Sequence, residues 1–237
     1  PYNEGTDLEA LVKQSGPISE KKFGQFAPLM IEAVSYLHGE KIVHRDIKPS
    51  NVIVTSNGNI KVTDLQTAAH IFDIRNSTMP TRGGTPYTDP QLINALAKNE
   101  RNGASYSTDI YSLGATFFYM LTGENPFDYS LVYDENGKEV QIGDETFRVG
   151  IKTSSDGKSL ESISIKDHEK KLKERVKKVP KKYQDLVFKC LTSNPKKRIT
   201  NSEELKQRLD DLDSSFYDNL KDAVARGVKV AIPTLVA

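Results

Sequence analysis

Cysteine is almost absent: the 237 residues hold one, Cys190. That excludes an internal disulfide framework and suits a reducing compartment. An excess of one charge is missing too, since 33 Lys and Arg face 32 Asp and Glu for a net charge of +1. No global field therefore points to nucleic acid or to a membrane surface as a partner. No apolar run reaches the ~20 residues that a membrane helix requires. The closing stretch "VKVAIPTLVA" is apolar but short and broken by Pro233, and reads as a tail or linker. Residue 1 is Pro rather than Met, with no basic and apolar targeting segment after it. The expectation is a chain that begins inside a longer polypeptide. Internal repeats are lacking as well. The length suits one large domain or two small ones and can bury a real core.

Helical signals are plain in two places. Ser19 can cap a helix with Phe23, Phe26, Met30, Val34 and Leu37 on one face, ending near Gly39. "STDIYSLGATFFYMLTG" (107–123) is apolar on nearly every face and predicts a helix buried all round. A third helix follows the basic run 166–182, which holds nine Lys or Arg and three Asp or Glu and reads as a solvated surface with snorkelling Lys side chains, or as a partner or substrate surface. It carries Tyr183, Leu186, Val187, Cys190 and Leu191 on one side. The last helix is predicted to open at Thr200, with Glu203 three residues on as a capping box, and to bury Leu205, Leu209 and Leu212.

Strand signals are shorter. "NVIVTSNGNIKVTD" (51–64) reads as a hairpin with a type I′ turn at Asn57-Gly58, and 130–143 as a second hairpin around Asn136-Gly137. Residues 67–90 read as a long polar loop, and 150–162 as a mobile Ser- and Gly-rich stretch. The fold class expected is mainly α with small β hairpins (α+β).

Between the first helix and the first hairpin stands "HRDIKPSN" (44–51). A carboxylate, an ammonium and an amide so close together would also fit a solvated loop. Two features weigh against that. The stretch is bracketed by an apolar helix and a β-branched strand, and a second carboxylate, Asp64, ends the opposite strand of the hairpin. Folding the hairpin brings Asn51 next to Asp64, and oxygen donors held that close suit Mg²⁺, which keeps waters and shares phosphate oxygens. Asp46 is then placed to accept a proton from a hydroxyl, with Lys48 neutralising charge on a moving phosphoryl group, the parts that phosphoryl transfer needs.

These residues resemble the eukaryotic-like protein kinase family. "HRDIKPSN" is similar to its catalytic loop, and "DLQ" at Asp64 stands where Asp-Phe-Gly is expected. "GTP" at Gly84 to Pro86 resembles the substrate-docking segment before Ala-Pro-Glu. "DIYSLG" at Asp109 to Gly114 resembles the buried central helix, and "NPKKRIT" at Asn194 to Thr200 the Arg-bearing turn before the last helix. The resemblance covers residues 1 to about 212, with the motifs in the family's order. It implies a catalytic base at Asp46, a phosphate-side cation at Lys48, metal ligands at Asn51 and Asp64, and ATP and Mg²⁺ as cofactors. Lys48 and Thr85 are traits of the Ser/Thr-directed branch, Thr85 linking Asp46 and Lys48 through its hydroxyl. His44 is implied to pack under the metal loop, and Asp109 to cap its helix and fix the loop backbone. Ile53 floors the adenine site, Tyr2 and Asn3 offer backbone contacts to adenine, and Asp7 reaches the ribose. Arg45 implies regulation by a phosphate on the activation segment, with Ser77, Thr78 and Thr81 as acceptors.

Three departures stand out. Leu65 and Gln66 replace Phe and Gly after Asp64, and Gln lacks the backbone freedom of Gly. "DPQ" at Asp89 to Gln91 stands where Ala-Pro-Glu belongs, leaving either Gln91 or Asp89 to meet Arg198. Everything that the family places before the hinge is missing. The resemblance therefore implies a kinase C-lobe over 1–214, with hinge 1–6, catalytic loop 44–51, activation segment 64–91, an insert at about 128–165, and a tail or linker over 215–237.

The function expected is Ser/Thr protein phosphorylation in the intact protein, with little activity from this part alone. Its partners are protein substrates, the absent N-lobe of the same polypeptide and, through the face that lobe would cover, a second copy; nucleic acid is not among them. The location expected is cytoplasmic, with membrane attachment outside these residues left open. A pseudokinase or scaffold keeps the fold without the chemistry and is the alternative. A small-molecule kinase ranks below both, because that class lacks the Lys-Pro pair and the "GTP" segment.

Overall fold

A computed structural model describes residues 5–74, 86–92, 104–127, 151–153, 160–163, 165–194 and 196–212. Strand β1 (Gly5–Asp7) leads directly into helix α1 (Leu8–Ser15), because Asp7 caps that helix by accepting the Ala10 amide at 2.8 Å. Helix α2 (Glu20–Gly39) starts from Ser19 as its sequence predicts, and all five periodic apolar positions are buried. Strand β2 (Ile42–Val43) follows, then β3 (Val52–Thr55) and β4 (Ile60–Val62).

Strands β1, β3 and β4 form one antiparallel sheet in that order, with Asp7 opposite Ile53 and Val52 opposite Val62. Gly5 permits the close pairing: a Cβ there would stand 2.6 Å from the Val54 carbonyl oxygen. The β3–β4 hairpin forms where expected, but its turn is not type I′, which needs two residues with positive φ. Only Gly58 is left-handed (φ 81°), its amide donates to the Thr55 carbonyl at 2.9 Å, and Thr55 and Asn59 close the loop. This is a three-residue loop with Gly58 in the bulge position.

The expected loop after Thr67 is partly regular. Strand β5 (Ala69–His70) pairs antiparallel with β2, and a short helix α3 (Ile71–Ile74) follows. Helix α4 (Tyr106–Thr122) is buried along nearly its whole length, opens with a capping box of Ser105 and Thr108, and stops at Gly123 (φ 74°). Stretch 150–162, expected to be mobile, contributes strands β6 (Ile151–Thr153) and β7 (Leu160–Ile163), which pair antiparallel. β-Branched residues at 151, 153 and 163 favour that state. The hairpin expected at Asn136-Gly137, Pro1 to Glu4 and the segment 213–237 lie outside the described residues.

Helix α5 (Ile165–Arg175) corrects the reading of the basic run as a surface feature. Its lysines face outward, yet His168, Leu172 and Arg175 are buried in the core. The Arg175 side chain is 1% exposed and donates to the carbonyls of Pro126 (3.0 Å) and Asn125 (2.7 Å) while pairing with Glu124 at 3.0 Å. Helix α6 (Gln184–Leu191) crosses α4, and helix α7 (Ser202–Leu212) packs on α2. The cap of α7 is Asn201, which accepts the Glu204 amide at 2.8 Å, one residue after the predicted Thr200.

The α4–α6 crossing depends on Gly114, where an added Cβ would lie 2.3 Å from the Cys190 Cβ. Gly114→Ala is expected to destabilise the fold by about 1–3 kcal/mol through overpacking. Cys190→Ala should not rescue it, because the clash is with a Cβ that alanine keeps, whereas Cys190→Gly should. Urea denaturation of the three variants checks this.

Candidate active site

The loop 44–51 is held from behind by Asp109 on α4, which is fully buried. Its Oδ2 accepts the His44 amide at 2.8 Å and the His38 Nε2 at 2.9 Å, and its Oδ1 accepts the Arg45 amide at 2.9 Å. Asp109 does not cap its own helix, as was expected; Ser105 does. The carboxylate instead holds the loop, including Arg45, whose left-handed backbone (φ 68°) is unusual for a residue with a side chain. His44 is also fully buried. Its Nδ1 accepts the Asp46 amide at 3.3 Å, so Nε2 carries the proton and donates to the Thr63 carbonyl at 3.1 Å. That bond runs from under the loop to the residue before Asp64.

At the front of the loop, Lys48 Nζ donates to Asp46 Oδ2 at 2.6 Å. Asn51, nearly buried, gives both protons of its amide to Asp46: one to the backbone carbonyl at 2.8 Å, one to Oδ2 at 3.0 Å. Asp46 Oδ1 carries no hydrogen bond among the described residues. The Asn51 carbonyl accepts the Thr63 amide at 2.8 Å and its hydroxyl at 3.1 Å, tying the start of β3 to the end of β4. Asp64 follows, exposed and left-handed (φ 64°), with Leu65–Thr67 forming a single 3-10 turn after it. The structure thus brings Asp46, Lys48 and Asn51 into direct contact and places Asp64 one residue beyond a bond to Asn51.

Arg45 Nε donates to the Thr67 carbonyl, and partial burial pulls its guanidinium below the ordinary arginine range. Thr67 also donates its hydroxyl to the His44 carbonyl at 3.0 Å. His38 and Thr67 were not singled out from the sequence. A histidine at the end of an apolar helix and a threonine in a polar loop carry no signal without the fold. Ile53 is half-buried on β3, and Asp7 lies opposite it with its Oδ1 engaged as a cap. Tyr2, Asn3, Ser77, Thr78, Thr81 and Thr85 lie outside the described residues.

The geometry decides which residue meets Arg198. Asp89 pairs with it at 2.6 Å, and both side chains are at most 2% exposed. Gln91 turns elsewhere and donates to the Ser193 carbonyl at 2.6 Å. Arg198 also lies over the Tyr111 ring, with 5.1 Å to its centroid.

Among the described residues no group of three or more His, Cys, Asp or Glu is arranged to hold a metal ion, and no helix is long and apolar enough to cross a membrane. A family model described as protein kinase domain matches residues 1–209. A serine/threonine-protein kinase of Bacillus subtilis is 35% identical over 129 residues, covering 54% of this chain and 19% of that protein. The mitogen-activated protein kinase kinase kinase 3 of Arabidopsis thaliana is 34% identical over 127 residues, covering 53% and 20%. A serine/threonine-protein kinase of Saccharomyces cerevisiae is 28% identical over 209 residues, covering 88% and 16%. The chain spans less than a third of the length of each of these relatives.

Proposed function

Because this chain belongs to the protein kinase domain family, we propose that it carries the phosphoryl-transfer centre of a serine/threonine protein kinase. The reaction is transfer of the ATP γ-phosphoryl group to protein hydroxyls. One observation carries the reading: Asp46 Oδ2 is occupied by Lys48 at 2.6 Å and Asn51 at 3.0 Å while Oδ1, among the described residues, is left to accept a hydrogen bond. A serine or threonine hydroxyl oriented by Oδ1 would lose its proton to that oxygen as its own oxygen bonds to the γ-phosphorus and the bond from that phosphorus to the β–γ bridging oxygen breaks, releasing ADP. Lys48, held against the carboxylate, supplies positive charge where the phosphoryl group passes.

With both N–H groups of Asn51 spent on Asp46, its side-chain oxygen is the atom left for a cation. Paired with the Asp64 carboxylate across the bonded ends of β3 and β4, it makes a two-oxygen donor set that fits Mg²⁺, a metal that keeps most of its waters. Bound there with ATP, Mg²⁺ would neutralise the phosphate oxygens. Ile53 and Asp7, adjacent across β3 and β1, would line the nucleoside side.

The reading assigns the described residues to the large lobe of the kinase. The 237 residues contain no Gly-x-Gly-x-x-Gly run, so the remaining phosphate contacts are expected from residues outside them, and activity belongs to the full-length protein. The test is phosphoamino-acid analysis of a generic protein substrate labelled from Mg-ATP by that protein. Label on serine and threonine is expected. Label on tyrosine, or only on a small molecule, would overturn the assignment.

A further inference from the structure

Gln91 donates to a carbonyl, which a glutamate at that position could not do. The position of that carbonyl, on Ser193, therefore matters to this chain, and α5 fixes it. Glu169 accepts the Ser193 amide and the Thr192 hydroxyl, the latter at 3.0 Å on Oε1 and 2.9 Å on Oε2. His168 Nδ1 meets the Ser193 hydroxyl at 3.2 Å, its Nε2 meets the Tyr111 hydroxyl at 3.2 Å, and the ring packs 4.4 Å from Phe127. His168, Thr192 and Ser193 are all buried. Buried polar groups joined in this way are rigid, because breaking one link leaves another without a partner.

The segment Pro86–Leu92 is consequently tied at both ends. Near its start, Ser112 donates to the Tyr87 carbonyl at 2.8 Å, and the Tyr87 hydroxyl donates to Asn125 at 2.6 Å. Near its end, Asp89 holds Arg198 and Gln91 holds Ser193. We propose that His168 and Glu169 are positioning residues for the protein substrate: through Thr192 and Ser193 they set where Gln91, and with it the segment 86–92, lies. The inference rests on the kinase reading above. It extends the docking role that the resemblance implies for Gly84 to Pro86, at the start of this segment, to two side chains of α5, outside the catalytic loop and the activation segment.

The experiment measures steady-state kinetics of the full-length protein as wild type, Glu169→Ala, Glu169→Gln, Gln91→Ala and the double variant Glu169→Ala/Gln91→Ala. Glu169→Ala is expected to raise KM for the protein substrate about fivefold, the worth of one hydrogen bond, with KM for ATP and kcat within about twofold. Glu169→Gln keeps one accepting oxygen and should stay near wild type. Gln91→Ala, at an exposed position, should reproduce the shift even if Glu169→Ala folds poorly. If Glu169→Ala folds, the double variant should be no worse than either single one, since both cut the same link. Gln91→Ala with unchanged KM, additive effects, or equal rises in both KM values would overturn the inference alone. A folded wild type without phosphate transfer would overturn the kinase reading and the docking role with it.

Discussion

Asp109→Ala is expected to lower stability by on the order of 3 kcal/mol, from about 1–3 kcal/mol for a buried amide and the lower end of that range for a partly buried one, both left without an acceptor. The amides are those of His44 and Arg45, and the His38 ring loses its partner in the same step. Arg45 adds to the loss, because its left-handed backbone persists only while both sides are held. The loop 44–51 should loosen before the rest of the fold. Hydrogen exchange at residues 44–46 is therefore expected to rise more than exchange in α4. Denaturant unfolding with exchange read at both places checks the result. A loss under about 1 kcal/mol would show that the loop holds itself.

The second large effect is expected from Asp89→Ala, at about 3–5 kcal/mol, because it strands a buried guanidinium. Arg198 already has Nε and Nη1 buried without hydrogen-bond partners, and Asp89 is its ion-pair partner among the described residues. The same change removes the acceptor of the Gln91 amide, bonded at 2.9 Å. Removing both charges should be milder than removing one. Asp89→Ala/Arg198→Met is expected to recover much of the loss, since methionine can pack on the Tyr111 ring that Arg198 now covers. Thermal unfolding of the single and double variants decides it. A double variant no better than Asp89→Ala would mean that packing, not the stranded charge, causes the loss.

Much of the candidate site's geometry was legible because it is local. Residues 44–51 bring their own bonds: Lys48 and Asn51 reach Asp46 across two and five positions, and the hairpin returns the chain to Thr63. The elements were legible where the helical signal is strong, as in the periodic α2 and the uniformly apolar α4. What was not legible depends on distant contacts. Nothing near Asp89 says that it, rather than Gln91, meets Arg198, 109 positions away. Arg175 sits in a run of lysines that reads as solvated, yet three backbone and side-chain oxygens from 124–126 make a buried place for it. The turn at Gly58 and the cap of α7 failed for a smaller reason. Asn-Gly serves two hairpin geometries, and both Thr200 and Asn201 are good caps, so the choice falls to the register of the neighbouring strands and helices.

The most direct test of the proposed phosphoryl-transfer centre is the rate of labelled phosphate transfer from Mg-ATP by the full-length protein, as wild type and as Asp46→Asn. Asparagine keeps the size of the side chain and an oxygen for Lys48 or Asn51 but cannot take a proton at neutral pH. Removing a general base lowers rates by about 10²–10⁴-fold, so transfer should fall by at least ~100-fold with the melting temperature little changed. Equal rates from both proteins would contradict the role of Asp46 as the base, and no transfer from a folded wild type would contradict the account and leave a binding module built on a kinase fold.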